Sequence, residues 1–320
     1  IDLGDLENNT FTTVTNDGGG TTRTLNIDGV VNETICFKTD ALKAASSVDL
    51  KSASGSADSV KLKFSDTANQ DFGNLLTVAG VETVNIESDN ANSTISSGIA
   101  MSIDLVAAAA TTINLTGDAG LVFLTDGSDD TTAVTTLDAS GMSIAKTTYS
   151  GVTYVSQKST LDASITITGS NGVDSLTGGA ATNDTISGGA GADTLVYSGG
   201  RDTLTGGAGK DVFDINALQD DTSSNFVTIA DFTVGDKLDL GTGVTLDFKE
   251  ETIGAKISLA STATFADYLA NAASGNETNS DGATKWFQHG GDTFLVVDSS
   301  SSTTAFVNTA DLLVKFTGEL

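Results

Sequence analysis

Proline is absent from all 320 residues, where about 5% is the usual share. A residue with no N–H breaks a strand ladder, so its absence fits long, uninterrupted strands. Cysteine occurs once, at Cys36, so no internal disulfide can form. In the run TICFKT it alternates with Ile35 and Phe37 and reads as an unpaired thiol without a function. Histidine also occurs once, at His289. That excludes a histidine-rich zinc site, and the HExxH, GxSxG and P-loop patterns are missing as well. Aspartates are too many for any acid pair to stand out as glycosidic. No stretch reaches the roughly 18 apolar residues a membrane-spanning helix needs. No amino-terminal signal peptide is visible. The chain opens on Ile1 rather than methionine, and we expect it to be part of a longer one.

Basic residues are scarce too. Fifteen lysines and arginines face 42 acids, for a formal charge of −27. This balance argues against nucleic acid and against an anionic membrane surface, and for divalent cations. Only 8 of the acids are glutamate, so 34 are aspartate. Aspartate favours turns and oxygen cages, whereas glutamate favours helices. Threonine, serine, valine, alanine and glycine dominate, and apolar residues alternate throughout, which marks a β-rich chain.

The most regular stretch runs from Gly169 to Asp214: GSNGVDSLT, GGAATNDTIS, GGAGADTLV, YSGGRDTLT, GGAGKDVFD. The unit is a nonapeptide, glycine-glycine-x-glycine-x-aspartate-x-apolar-x. It is complete from Gly188 and from Gly206, has Ser170 for its second glycine in the first copy, carries an extra residue in the second, and in the fourth, from Tyr197, lacks the first glycines but keeps Gly200, Asp202 and Leu204 in register. The aspartates are Asp174, Asp184, Asp193, Asp202 and Asp211, and the apolar residues two places on are Leu176, Ile186, Leu195, Leu204 and Phe213. The glycine half must turn tightly with its carbonyls converging, which takes positive φ values that glycine adopts cheaply. The other half is a short strand. Two units then close one coil of about 18 residues, and coils stack about 4.8 Å apart. Stacking sets Asp174 with Asp193, Asp184 with Asp202, and Asp193 with Asp211. Two carboxylates and several carbonyls form a hard oxygen cage that suits calcium. The expected metal ligands are those five aspartates with the turn residues Gly169, Asn171, Gly188, Gly189, Ala190, Gly191, Gly200, Gly207 and Gly209. The insertion at Ala181–Asn183 should disturb the Asp184 turn most.

Around this stretch we expect an all-β chain. Residues 1–80 read as a β-rich domain, with a turn at Gly18–Gly20 and a short helix in TDALKAAS. Its lysines 38, 43, 51, 61 and 63 read as a solvated face, with an acidic neighbour as the alternative. Residues 81–168 read as a parallel β-solenoid with strands VETVNI, MSIDL, TTINL, LVFL, AVTTL, VTYV and SITIT, and Asp118, Asp126, Asp129 and Asp130 are secondary calcium candidates. The calcium β-roll occupies 169–216. Residues 217–320 read as a β-rich cap with one helix, Phe265–Ala273, started by Thr264 and Asp267, and a hairpin turning at Gly290–Gly291. A solenoid needs such a cap over its last coil.

The repeats resemble the RTX family of proteins exported by type I secretion from Gram-negative bacteria. GVETVNI at Gly80–Ile86, NDTISGGAGADTLVYSGG at Asn183–Gly200, GGAGKDVFDINAL at Gly206–Leu218, VGDKLDL at Val234–Leu240 and KWFQHGGDTFLVVDSS at Lys285–Ser300 resemble the carboxy-terminal part of RTX-type S-layer proteins. That resemblance implies a non-enzymatic, extracellular subunit that assembles with copies of itself and calcium into a two-dimensional coat on the cell surface. It further implies export by the type I machinery and attachment to surface polysaccharide through an amino-terminal region not evident here. An RTX adhesin or toxin carrier, or the calcium-binding tail of a secreted hydrolase, are the alternatives.

Overall fold

Alternation of apolar and polar residues along short, proline-free runs produces strands with one face buried. In the computed structural model they stack into two long sheets. The structure describes residues 26–30, 34–38, 46–50, 57–66, 70–90, 100–124, 131–158, 163–180, 182–215, 226–240, 245–247, 256–272, 283–298 and 311–320. The turn at 18–20, the helix expected in TDALKAAS, Lys43, Lys51 and Asp126, Asp129 and Asp130 lie outside them.

The chain is a parallel β-solenoid. Successive strands alternate between the sheets, so each coil contributes one strand to each. One sheet, of eleven strands among the described residues, runs from Asn26–Val30 to Thr245–Asp247. The other, of twelve, runs from Thr34–Lys38 to Leu312–Phe316 and the hairpin Ala283–His289/Asp292–Asp298. The strands before residue 80 lie in the same two sheets as those after it. Each of the seven strand runs expected between 81 and 168 corresponds to a strand. Three strands were not anticipated, Ser46–Leu50, Gln70–Ala79 and Thr245–Asp247.

Register explains why such uneven spacing still stacks. In the twelve-stranded sheet Thr83, Thr112, Thr136, Thr166, Thr185, Thr203 and Thr228 form one continuous row. The next residue of each strand points inward: Val84, Ile113, Leu137, Ile167, Ile186, Leu204 and Ile229, all fully buried. The facing sheet supplies Tyr154, Leu176, Leu195, Phe213 and Leu238 as a second row. A β-branched outer residue beside a branched aliphatic inner one fits a pleated, half-buried surface. Loops of different length leave between the strands, so contacts across one coil span 24 to 30 residues in the first half and 18 or 19 in the nonapeptide stretch.

Two of these lysines, while partly exposed, meet acidic neighbours on the next coil. Lys61 Nζ lies 2.9 Å from Glu87, and Lys63 Nζ lies 2.6 Å from Glu87 and 2.9 Å from Asp89. Parallel in-register stacking sets Lys61 beside Asn85 and Lys63 beside Glu87, a proximity that a linear reading of the lysines does not reveal.

The roll ends where the chain reverses. Lys237–Asp239 pairs antiparallel with Thr245–Asp247, and Val227–Ile229 is covered by Leu312–Phe316, which joins the antiparallel hairpin. Gly290 and Gly291, at φ 65° and 89°, make the hairpin turn. The helix Phe265–Ala272 packs Leu269 and Ala272 into a second core with Phe287, Phe294 and Val296. Thr264 caps it: its amide and hydroxyl reach Asp267 Oδ2 at 2.8 and 2.7 Å. No described helix is long and apolar enough to cross a membrane.

Candidate metal centre

Each repeat aspartate sits where a turn enters a strand, so its side chain points along the turn edge rather than into the apolar core. Stacking then sets each carboxylate beneath the backbone of the preceding coil. The amide of Asp174 donates to Asp193 Oδ1 at 2.9 Å, that of Asp184 to Asp202 Oδ1 at 2.8 Å, and that of Asp193 to Asp211 Oδ1 at 2.9 Å. The result is two rows on opposite turn edges, Asp174–Asp193–Asp211 and Asp184–Asp202. All five aspartates are buried.

Burial costs a carboxylate its charge unless something replaces water. Desolvation pushes Asp193 up to about 7, and the neighbouring carboxylates Asp174 and Asp211 add to the rise while the Asp174 amide opposes it. Desolvation likewise pushes Asp202 up to about 8, against the pull of the Asp184 and Ser198 amides and with the Asp184 charge adding to it. Asp211 is raised for the same reason, with Asp236 and Asp231 as the like charges. Asp174 reaches only about 6, because donors from Val152 and Ser170 offset much of its desolvation.

The second oxygens of these carboxylates divide the set. Oδ2 of Asp193, Asp202 and Asp211 is buried and has no hydrogen-bond partner. A buried carboxylate oxygen left unpaired is expensive, and such groups call for an ion. The surroundings fit one. Asp193 Oδ2 and the carbonyl of Gly206 in the next coil both crowd against Gly188, where a Cβ would clash with them. Asp211 Oδ2 crowds Gly206 in the same way. Carbonyls of Gly189 and Gly191 approach Gly207 and Gly209 from the preceding coil, and the carbonyl of Thr182 approaches Gly200. Gly189, Gly191, Gly200 and Gly207 hold φ values of 103°, 142°, 91° and 94°, open only to glycine at low cost. The donors are all oxygen, which suits a hard cation such as calcium. Among the described residues no group of three or more His, Cys, Asp or Glu side chains is placed to hold a metal, so backbone carbonyls must complete any cage.

Other expected ligands also make scaffold hydrogen bonds. Asn171 clamps the previous coil: Oδ1 accepts from the Ile144 amide at 2.7 Å, and Nδ2 donates to its carbonyl at 2.8 Å. Gly169 donates its amide to Ser187 O at 2.7 Å, and the Ala190 amide reaches Ser170 O at 3.2 Å. Asp118, a secondary candidate, accepts from the Asn90 amide at 2.7 Å.

The structure adds two aspartates that the nine-residue interval does not reach. Asp236 Oδ1 accepts from the Asp211 amide at 2.9 Å, 25 residues away, and so extends the first row by one coil. Asp231 accepts from the amides of Gly206 at 2.8 Å and Gly207 at 2.7 Å. Asp236 had a local signal, since Asp236–Lys237–Leu238 repeats the aspartate-x-apolar order and Leu238 stacks on Phe213.

This site is a calcium-type β-roll, and comparison with known families agrees. Residues 168–204 and 198–217 match the family described as RTX calcium-binding nonapeptide repeat (4 copies). The chain therefore carries RTX calcium-binding repeats, and calcium is the ion its roll binds. No curated protein matches the chain.

Proposed function

We propose that this chain is the lattice-forming part of an extracellular, calcium-dependent structural subunit, an S-layer protein that assembles with copies of itself on a Gram-negative cell surface after type I secretion. The observation that carries the calcium dependence is the buried row of aspartates whose second oxygens have no protein partner. Without the ion, like charges stack one coil apart and the roll is disfavoured. Extracellular calcium modules typically bind at about 10⁻⁴–10⁻³ M, so the roll stays loose inside the cell, as export needs, and sets outside it. In this reading Asp193, Asp202 and Asp211 are the carboxylate ligands, with carbonyls around Gly188, Gly189, Gly191, Gly200, Gly206, Gly207 and Gly209 completing the cages. The roll at 169–216 stiffens the solenoid of 81–168 above it, and 217–320 closes its end and contributes to assembly. The chain performs no catalysis.

The S-layer assignment rests on the segments flanking the repeats, above all KWFQHGGDTFLVVDSS at Lys285–Ser300. Electron microscopy of the purified protein in millimolar calcium tests it. Ordered sheets that dissolve in chelator are expected. A persistent monomer that still binds calcium would contradict assembly and favour the adhesin or carrier alternative.

A further inference from the structure

The five repeat aspartates are equivalent in sequence but not in bonding. Asp174 has both oxygens occupied by the chain. Oδ1 accepts from the Val152 amide, Oδ2 accepts from the Ser170 amide at 2.7 Å, and the Ser170 hydroxyl lies 2.9 and 3.2 Å from the two oxygens. The Gly172 amide holds that hydroxyl in place at 2.9 Å. Asp184 is closed in the same manner. Its Oδ1 accepts from Ile165 at 2.8 Å, its Oδ2 accepts from Gly179 at 2.7 Å, and the Thr182 hydroxyl sits 2.8 and 2.9 Å from the pair. At the far end Asp236 repeats the arrangement: Oδ1 takes the Asp211 amide, and Oδ2 takes the amide and hydroxyl of Thr233 at 2.7 and 3.0 Å. Only Asp193, Asp202 and Asp211, which lie between these, keep a buried oxygen free.

Backbone conformation divides the five repeat turns along the same line, although the turn before Asp236 contains Gly235 at φ 114°. The turns before Asp193, Asp202 and Asp211 contain positive-φ glycines, namely Gly189 and Gly191, Gly199 and Gly200, and Gly207. Gly169, Gly172, Gly178 and Gly179, in the turns before Asp174 and Asp184, are not among the positive-φ glycines. Two departures from the repeat, Ser170 in place of a glycine and the insertion that brings in Thr182, each combine a hydroxyl donor to the aspartate with a turn free of positive-φ glycine; the third, Tyr197–Ser198 in the fourth copy, does not, because the Ser198 hydroxyl donates to the Gly179 carbonyl at 3.1 Å. A carboxylate offers about four lone-pair sites, and the three donor hydrogens that converge on each of Asp174, Asp184 and Asp236 fill most of what a cation would need.

We propose that Asp174, Asp184 and Asp236 are not calcium ligands but metal-independent latches, closed by Ser170, Thr182 and Thr233, that bracket a calcium-dependent centre formed by the turns of Asp193, Asp202 and Asp211. The latches hold the first and last coils of the roll in register, so calcium has only the middle to order. This inference rests on the calcium reading of the roll.

Hydrogen exchange on the full chain in chelator and in millimolar calcium tests it without any substitution. The amides that latch carboxylates hold across coils are those of Val152, Ile165 and Asp211. The amides held by the centre are those of Asp174, Asp184 and Asp193. In chelator the first group should stay protected and the second should exchange fast. Calcium should slow the second group by roughly tenfold or more and leave the first nearly unchanged. Equal loss of protection in both groups on chelation overturns the latches. If calcium changes no amide while binding none by calorimetry, the calcium reading itself fails. Ion counts on two variants extend the test. Asp174→Asn should bind as many calcium ions as the parent, and Asp193→Asn should bind fewer. Ser170→Gly, which restores the repeat, should bind one more. A lost ion in a folded Asp174→Asn would place that carboxylate among the ligands and overturn the proposal.

Discussion

At the residue scale the protein turns on what a buried carboxylate does with its second oxygen. For Asp193 and Asp202 the folded form raises the proton affinity, to about 7 and about 8, whereas the unfolded chain titrates near the ordinary value of about 4. Between those limits the folded state binds more protons than the unfolded state, so calcium-free stability falls as pH rises. Thermal unfolding in chelator should therefore give a higher midpoint at pH 5.5 than at pH 8.5. In calcium the order should reverse, because the ligands must be deprotonated and protons compete with the ion. Glycine sets the other limit at this scale. Gly189 sits at φ 103° with the Ser170 carbonyl close against it. Gly189→Ala should cost at least about 1–2 kcal/mol, measured as a lower midpoint in calcium. The ion pairs are smaller effects. Burial works against the Lys63 charge, but the Glu87 and Asp89 hydrogen bonds and charges outweigh it and raise its pKa, and Lys63 and Lys61 in turn lower that of Glu87. Both partners are about a quarter exposed, so Lys63→Ala should cost no more than about 1 kcal/mol at pH 7.

At the element scale, two periods are superposed and only one shows in the sequence. The nine-residue interval is visible because short turns of fixed length join the strands of the roll. Its aspartate spacing indicated which carboxylates would stack, and its D-x-apolar order indicated Leu176, Ile186, Leu195, Leu204 and Phe213 as core. Upstream the strands obey the same outer-threonine, inner-aliphatic rule, as Thr112–Ile113 and Thr136–Leu137 do. Their loops vary in length, so no numerical repeat betrays the coil. Strand Ser46–Leu50 was obscured by TDALKAAS, whose composition favours a helix. The latches were harder still. Ser170 and Thr182 look like lapses in a motif until their hydroxyls are seen against Asp174 and Asp184. The carboxy-terminal helix, by contrast, was legible from its cap alone. Thr264→Ala should weaken it by about 1 kcal/mol, read as roughly fivefold faster exchange of the Asp267 and Tyr268 amides, whose partner is Thr264.

At the scale of the whole molecule the solenoid is a stack in which each coil rests on its neighbours, so stability at one level passes to the next. The upstream coils are held by apolar rows and the end is closed by a hairpin and an aromatic second core of Phe265, Tyr268, Phe287 and Phe294. Among the described residues, the roll between them stacks buried like charges one coil apart. A net charge of −27 acts in the same direction over longer range. The most direct test is thermal unfolding of the full chain across a calcium titration, with magnesium as the comparison. The midpoint should climb with the logarithm of free calcium, each site adding about 2.7 kcal/mol once calcium exceeds its dissociation constant a hundredfold. Equal magnesium should do far less, because its small, rigid octahedral shell fits carbonyl cages poorly. A midpoint that stays the same in chelator and in millimolar calcium would contradict the account.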